Sequence, residues 1–390
     1  MISVDEALAR LRALAPSIAV EDSPLNLAAG RWLAGDIVAL RTQPSRDLSA
    51  MDGYAVRFAD LNGTMRIVGE SAAGAGFSSL MGEREAVRIF TGAPMPEGAD
   101  TVLVQEDAAR IGDRLTMTGD GPGATGRHIH RAGLDFSNGE TILAAGQRLT
   151  AQRIALAAIA GHATLPVKRT IRVAIVATGD ELVAPGTASS PDQLPESNAL
   201  MVAAMLRDLP VAVERIGIVP DRLDALEAAF RAVDADILVT TGGASVGDHD
   251  LVRPALIGCG GSIDFWKIAM RPGKPMLAGR LGDMLVLGLP GNPVAAFVTT
   301  MRFVRPLVAS MAGGAMTPAP RSIALGAPLP ANDHRADHLR GVIRDDRAFP
   351  ADTQDSSMLR TLAASDCLIL RAPHAGAAAV GESVEILDVN

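Results

Sequence analysis

Residues 171–182 read IRVAIVATGDEL, residues 236–247 read DILVTTGGASVG and residues 284–293 read MLVLGLPGNP. Each is an aliphatic run that stops in glycine. A strand buried on one face alternates apolar and polar residues, whereas one buried on both faces is apolar throughout. These runs are of the second kind. Asn198 to Leu206 and Leu223 to Val233 read as helices between them, and Val211 to Ile218 as a further strand. Strands and helices at this spacing predict a doubly wound parallel sheet within an α/β multidomain chain. Leu281-Gly282-Asp283-Met284 reads as a hairpin turn, and Asn292-Pro293 opens a long helix with Asn as N-cap and Pro in its first turn. Pro306 is expected to bend or end that helix.

Outward from this unit the pattern changes. Ser3 to Leu14 reads as a capped helix whose stripe of Val4, Ala7, Leu8, Leu11 and Leu14 needs a partner surface. The polar stretch 41–50 marks a crossing into a β-rich unit that runs to about residue 132, with Asn62-Gly63 and Gly112-Asp113 as hairpin-type dipeptides. Residues 148–163 read as a helix stopped near Gly161. After a linker at 316–320, short strands at Ser322–Leu325, Leu339–Ile343, Cys367–Arg371 and Val384–Leu387 predict a small β-barrel or sandwich.

The composition excludes some functions. The 390 residues carry a net charge of −8, and aromatics are only 3%. A broad nucleic-acid surface or a base-stacking platform is therefore not expected. Two cysteines, Cys259 and Cys367, do not make a disulfide framework. No signal peptide opens the chain and no uncharged apolar run spans a bilayer, so a cytoplasmic protein with no membrane partner is expected.

In an open parallel sheet, ligands bind outside the carboxyl ends of the strands. Three glycine-rich turns follow those ends: Thr178-Gly179-Asp180-Glu181, the segment from Thr241 to Asp250, and Gly288 to Pro293. Glycine backbone can approach a phosphate closely, and exposed N–H groups can cradle it. The loop with Gly242, Gly243, Ser245, Gly247, Asp248 and Asp250 is richer than a turn needs, yet lacks the lysine of a nucleotide-hydrolysing P-loop. In WKIAMRPGKP, residues 266–275, the cations Lys267, Arg271 and Lys274 are candidates for an anion clamp, because like charges held close repel unless an anion neutralises them. Asp52, Asp180, Glu181, Asp221, Asp248 and Asp250 suit a hard cation such as Mg²⁺.

Six stretches carry a resemblance: residues 49–56 (SAMDGYAV), 91–98 (TGAPMPEG), 178–182 (TGDEL), 242–247 (GGASVG), 272–275 (PGKP) and 288–293 (GLPGNP). In this order they are similar to the MoeA family of molybdopterin molybdenumtransferases and the related E domain of gephyrin. The resemblance implies four parts: an elongated part from 1–46 plus 133–168, a β-rich insertion at 47–132, a molybdopterin-binding-like doubly wound domain at 169–312, and a C-terminal β-barrel at 317–390. It implies a homodimer with a composite active site. The implied reaction joins molybdate to adenylylated molybdopterin with Mg²⁺ and releases AMP. An upstream adenylyltransferase and recipient molybdoenzymes are further implied partners.

The resemblance also assigns residues. Asp52, Thr91, Asp135, Glu181, Asp221 and Lys267 would be catalytic. Thr178, Gly179, Asp180, Ser197, Asn198, Gly242, Gly243, Ser245, Gly247, Asp248, Pro290, Gly291, Asn292 and Pro293 would hold the nucleotide-tagged pterin. Arg271, Lys274, Arg340 and Ser356 would hold molybdate, and Asp250 the Mg²⁺ ion. Two departures stand out: Arg271 where the family often has lysine, and Ala295 where many members have serine. A non-catalytic pterin-binding scaffold and a molybdopterin adenylyltransferase are the alternative readings.

Overall fold

The structure, a computed structural model, describes residues 1–187, 190–243, 251–315 and 320–389. Its centre is a six-stranded sheet built from β1 (Ile171–Thr178), β2 (Val211–Val219), β3 (Ile237–Thr241), β4 (Ser262–Phe265), β5 (Leu277–Leu281) and β6 (Met284–Leu289). The spatial order is 2-1-3-6-5-4. β2, β1, β3 and β6 pair in parallel, and β5 is antiparallel to both β6 and β4. β4 therefore points the same way as the four parallel strands.

Both faces of the sheet are covered, as its apolar runs require. Val173, Ile175 and Ala177 of β1 enter one core with Val202, Val294 and Val298, while Ala174 and Val176 enter the other with Leu226, Phe230 and Val252. Burying one such aliphatic side chain contributes about 1.5–3 kcal/mol. The helices are α1 (Asn198–Met205) and α2 (Leu223–Ala232), then α3 (Val252–Gly258) and α4 (Pro293–Thr299). The N-terminal helix, Val4–Leu14, caps Glu6 N–H with the Ser3 hydroxyl at 3.1 Å and buries Val4, Ala7 and Leu11 against the first of these cores. After α4 the chain passes through a π turn, Thr300–Val304, into a further helix, Arg305–Met311. Pro306 thus does not end the segment: it sits in the first turn of that last helix, where its missing N–H is tolerated. Pro293–Met311 is long and apolar enough to cross a membrane, but 78% of it is buried inside the protein.

The β-rich unit is a second six-stranded sheet, in which Gly53–Val56 lies between Thr101–Val104 and Glu85–Ile89. Gly112-Asp113 turns a hairpin, as expected. Asn62-Gly63 does not: the strands on either side of it, Gly53–Val56 and Met65–Ser71, are separated in the sheet by Glu85–Ile89. Val20–Pro24 pairs with Thr164–Lys168, and Ile37–Val38 with Thr141–Leu143, so distant parts of the chain form shared ribbons. The C-terminal region is a closed five-stranded barrel of Arg321–Leu325, Ala336–Arg344, Arg347–Pro350, Cys367–Arg371 and Ser383–Asp388.

The barrel is tied to the central domain. Met270–Arg271 adds to it as a parallel strand, with Met270 opposite Ala336 and Arg271 opposite Asp337. Beside this junction His338 is buried, and its Nδ1 has no partner among the described residues. Burial, followed by the charge of Arg302, pushes its pKa down to about 3, against the opposing pull of the Arg271 and Ala336 backbone. The native imidazole therefore stays neutral where the unfolded one takes up a proton. Stability from this group is complete above about pH 6.5 and is lost as pH falls from there toward 3. At pH 5 the loss is roughly 2 kcal/mol. Chemical denaturation of the wild type and His338→Phe at pH 7.5 and pH 5 checks this: the drop between the two pH values should shrink in the variant. An unchanged drop counts against it.

Candidate functional site at the carboxyl edge of the sheet

Strand direction places five segments on one edge: Thr178–Glu181 after β1, Thr241–Gly243 after β3, Trp266–Lys267 after β4, Arg271–Met276 before β5, and Pro290–Pro293 after β6. Gly242 has φ +101°, and a Cβ there would lie 2.4 Å from the Thr178 carbonyl oxygen. Gly243 has φ +61°, and its Cβ would meet Val252 Cγ2 at 2.8 Å. Only glycine lets the ends of β1 and β3 close up in this way. Across the crevice the Thr178 hydroxyl donates to Asp221, and Asp221 N–H donates to Asp180 Oδ1 at 3.0 Å. Glu181 folds its carboxylate over Gly179, where a Cβ would meet Oε2 at 2.7 Å.

The start of α1 faces the turn after β6. Asn198 Nδ2 donates to the Gly291 carbonyl at 2.7 Å, while Asn198 Oδ1 is buried with no donor among the described residues. Ser197 is exposed, and Glu196 caps the helix in its place by accepting from Ala199 N–H at 2.6 Å. Asn292 uses its side chain locally: Oδ1 accepts from Val294 N–H at 3.2 Å and Ala295 N–H at 3.4 Å. It thereby caps the start of α4.

The three cations of the candidate anion clamp have different surroundings. Lys267 lies over Trp266, with Nζ 4.1 Å from the ring centroid. Arg271 donates through Nε to Asp337 Oδ1 at 2.9 Å and through Nη2 to Oδ2, and Asp333 is 3.7 Å from Nη1. These bonds hold its pKa above the usual arginine range. The expectation that clustered cations need an external anion is thus corrected for Arg271: its counter-charge comes from a buried carboxylate 66 residues further along the chain. Lys274 is exposed, and its carbonyl accepts from Ile268 N–H at 3.0 Å.

Arg340 is buried, and burial lowers its pKa against the pull of Asp355. Among the described residues its guanidinium reaches only the Met358 and Thr353 carbonyls, at 3.3 and 3.4 Å, on either side of half-buried Ser356. A cavity of about 490 Å³ between the Pro272 turn and the barrel has Arg271, Arg340, Asn332 and Gln354 in its lining.

Asp52 accepts from Thr91 N–H at 2.8 Å and from its hydroxyl at 2.9 Å. The backbone bond first, then the hydroxyl, keeps Asp52 below the usual carboxylate range. Both residues are on the β-rich unit, and Asp52 is half-buried. Asp135 is exposed, and its N–H donates to the Gln43 carbonyl at 3.0 Å. Ser245, Gly247, Asp248 and Asp250 lie outside the described residues. Asp337 was not found by sequence reasoning, because nothing local links it to Arg271.

A doubly wound domain with glycine turns along its carboxyl edge, flanked by a β-rich unit and a barrel, defines the class. Family models match three successive parts of the chain. They are the MoeA N-terminal region (domain I and II) over residues 2–161, a probable molybdopterin binding domain over 174–310, and the MoeA C-terminal region (domain IV) over 322–389. A molybdopterin molybdenumtransferase of Haemophilus influenzae is 34% identical over 100% of this chain and 99% of its own length. Molybdopterin molybdenumtransferase 2 of Mycobacterium tuberculosis is 36% identical over 83% of this chain and 80% of its own. A molybdopterin biosynthesis MoeA protein of Pyrococcus horikoshii superposes with a TM-score of 0.87 at 26% identity, covering 100% and 99% of the two chains. The chain belongs to the MoeA family.

Asp337→Asn should loosen the junction between the Pro272 turn and the barrel. A charge-assisted bidentate bond to a buried carboxylate is worth about 1.5–3 kcal/mol. Denaturant titration should show a loss of that order. Wild-type stability would mean that the pair does not hold the junction.

Proposed function

We propose that this chain inserts molybdenum in molybdenum-cofactor biosynthesis: a transferase that joins molybdate to adenylylated molybdopterin and releases AMP. The observation that carries the reading is the convergence of strand-end turns and a cationic loop on one sheet edge, in a member of this family. The glycine turns after β1, β3 and β6 present backbone at close range to the pterin phosphate and nucleotide, in the way phosphate-binding turns do. The orphaned Asn198 Oδ1 favours the same reading, since a buried acceptor without a donor fits a missing ligand group. Lys274 and Arg340, with the Ser356 hydroxyl, are assigned to the tetrahedral molybdate. Arg271 acts through Asp337 to hold the turn that carries Lys274, and so is a positioning residue.

Mg²⁺ fits the donor set. Asp180 and Asp221 supply oxygens beside the crevice, and hard cations take one or two carboxylates together with phosphate oxygens. Asp250 is the further ligand implied by the resemblance. The ion would offset charge on the phosphoanhydride. The family resemblance implies a homodimer, in which Asp52 and Thr91 of the β-rich unit would complete a partner's site. The reading also places the protein in the cytoplasm, between a step that adenylylates the pterin and the apoenzymes that take up the finished cofactor.

Purified protein given adenylylated molybdopterin, Mg²⁺ and molybdate should release AMP, measured by chromatography. Retention of the substrate at every molybdate concentration would overturn the reading. In Lys274→Ala the molybdate dependence should move to at least about tenfold higher concentration, the equivalent of about 1.4 kcal/mol, with the melting temperature unchanged.

A further inference from the structure

At the carboxyl end of β4, Trp266 holds two cations against one indole. Lys267 Nζ is 4.1 Å from the ring centroid and Arg253 Cζ is 4.9 Å from it. Arg253 is exposed at the start of α3, the helix that follows β3, so both cations belong to the ligand-binding edge. Among the described residues neither one pairs with a carboxylate. The Trp266 indole N–H is buried and donates to none of the described residues. A cation on an aromatic face is attracted to it, but two like charges on one ring repel each other. A multiply charged anion that reaches both would relieve that repulsion.

The position of the cluster separates it from the molybdate residues. Trp266 packs on the core that contains Val252, Leu256 and Leu277. Met270 and Met276, which flank the Arg271–Lys274 turn, belong to the core on the opposite face. The edge thus has one cationic locus on each side of the sheet, and the proposed substrates are anionic at two places, the oxometallate and the phosphoanhydride. We infer that Arg253, Trp266 and Lys267 form a clamp for the nucleotide phosphate, so that Arg253 is a binding residue for the nucleoside 5′-monophosphate half of the substrate. The inference rests on the proposed function.

Calorimetry with AMP on the full-length protein tests it. Arg253→Ala should weaken AMP binding about tenfold, leaving molybdate affinity and melting temperature unchanged, and Arg253→Lys should restore most of the loss. The two tryptophans are Trp32 and Trp266, so in a Trp32→Phe background the remaining fluorescence reports the clamp directly. AMP should quench it and adenosine should not. Wild-type AMP affinity in Arg253→Ala overturns the inference while leaving the proposed function intact. Loss of molybdate binding in that variant overturns the assignment to phosphate. Failure of the wild-type protein to bind AMP overturns the clamp, whereas failure to release AMP from adenylylated molybdopterin overturns the proposed function.

Discussion

The site depends on a missing side chain. The Thr178 carbonyl oxygen occupies the place that a Cβ on residue 242 would need, 2.4 Å away. Any residue other than glycine would push the ends of β1 and β3 apart, and its backbone at φ +101° would be strained as well. The rest of the edge is stacked on that contact. Thr178 holds Asp221, Asp221 holds Asp180, and Gly243 packs on Val252 at the start of α3. The point between β1 and β3, where the strand order reverses, is where doubly wound sheets bind their ligands. Here the close approach is built into the backbone, so the crevice is formed before any ligand arrives.

Charge at this edge is arranged by partner and not by sequence distance. Lys267, Arg271 and Lys274 lie within eight residues of one another, yet each has a different environment. The first lies on an indole, the second is bound by a buried carboxylate, and the third is exposed. A planar guanidinium suits the second position, because a bidentate bond to Asp337 needs two parallel donors that an ammonium lacks. The departure from lysine at 271 therefore has a structural consequence within this chain: it joins the turn to the barrel.

The doubly wound core was legible because strands buried on both faces are written as uninterrupted aliphatic runs. β1, β2, β3, α1 and α2 lie where the pattern put them, to within a residue or two. α3 was not legible: it is seven residues long and contains Pro254, so it shows no helical period. β4 was missed too, being four residues of partial exposure on the sheet edge. Arg347–Pro350 is another short barrel strand with no clear alternation. The turns of the site could be read from glycine at strand ends. Their long-range partners could not. The junction of Arg271 with Asp337 and the approach of Arg253 to Trp266 are properties of the fold, and no local spacing encodes them.

Asp52 shows how such partners restrict chemistry. Two donors from Thr91 stabilise its ionised form, and the Arg88 charge acts in the same direction. A carboxylate held below its usual range is a poor proton acceptor near neutral pH, because an effective general base needs a pKa close to the working pH. Within the proposed dimer, Asp52 therefore serves as a fixed negative charge and acceptor, not as a base. A fixed negative charge brought against a phosphoanhydride is repulsive unless a cation lies between them. The same holds for Asp180 and Asp221 beside the strand-end turns. In the proposed reaction, Mg²⁺ between these carboxylates and the polyanion would turn that repulsion into shared coordination.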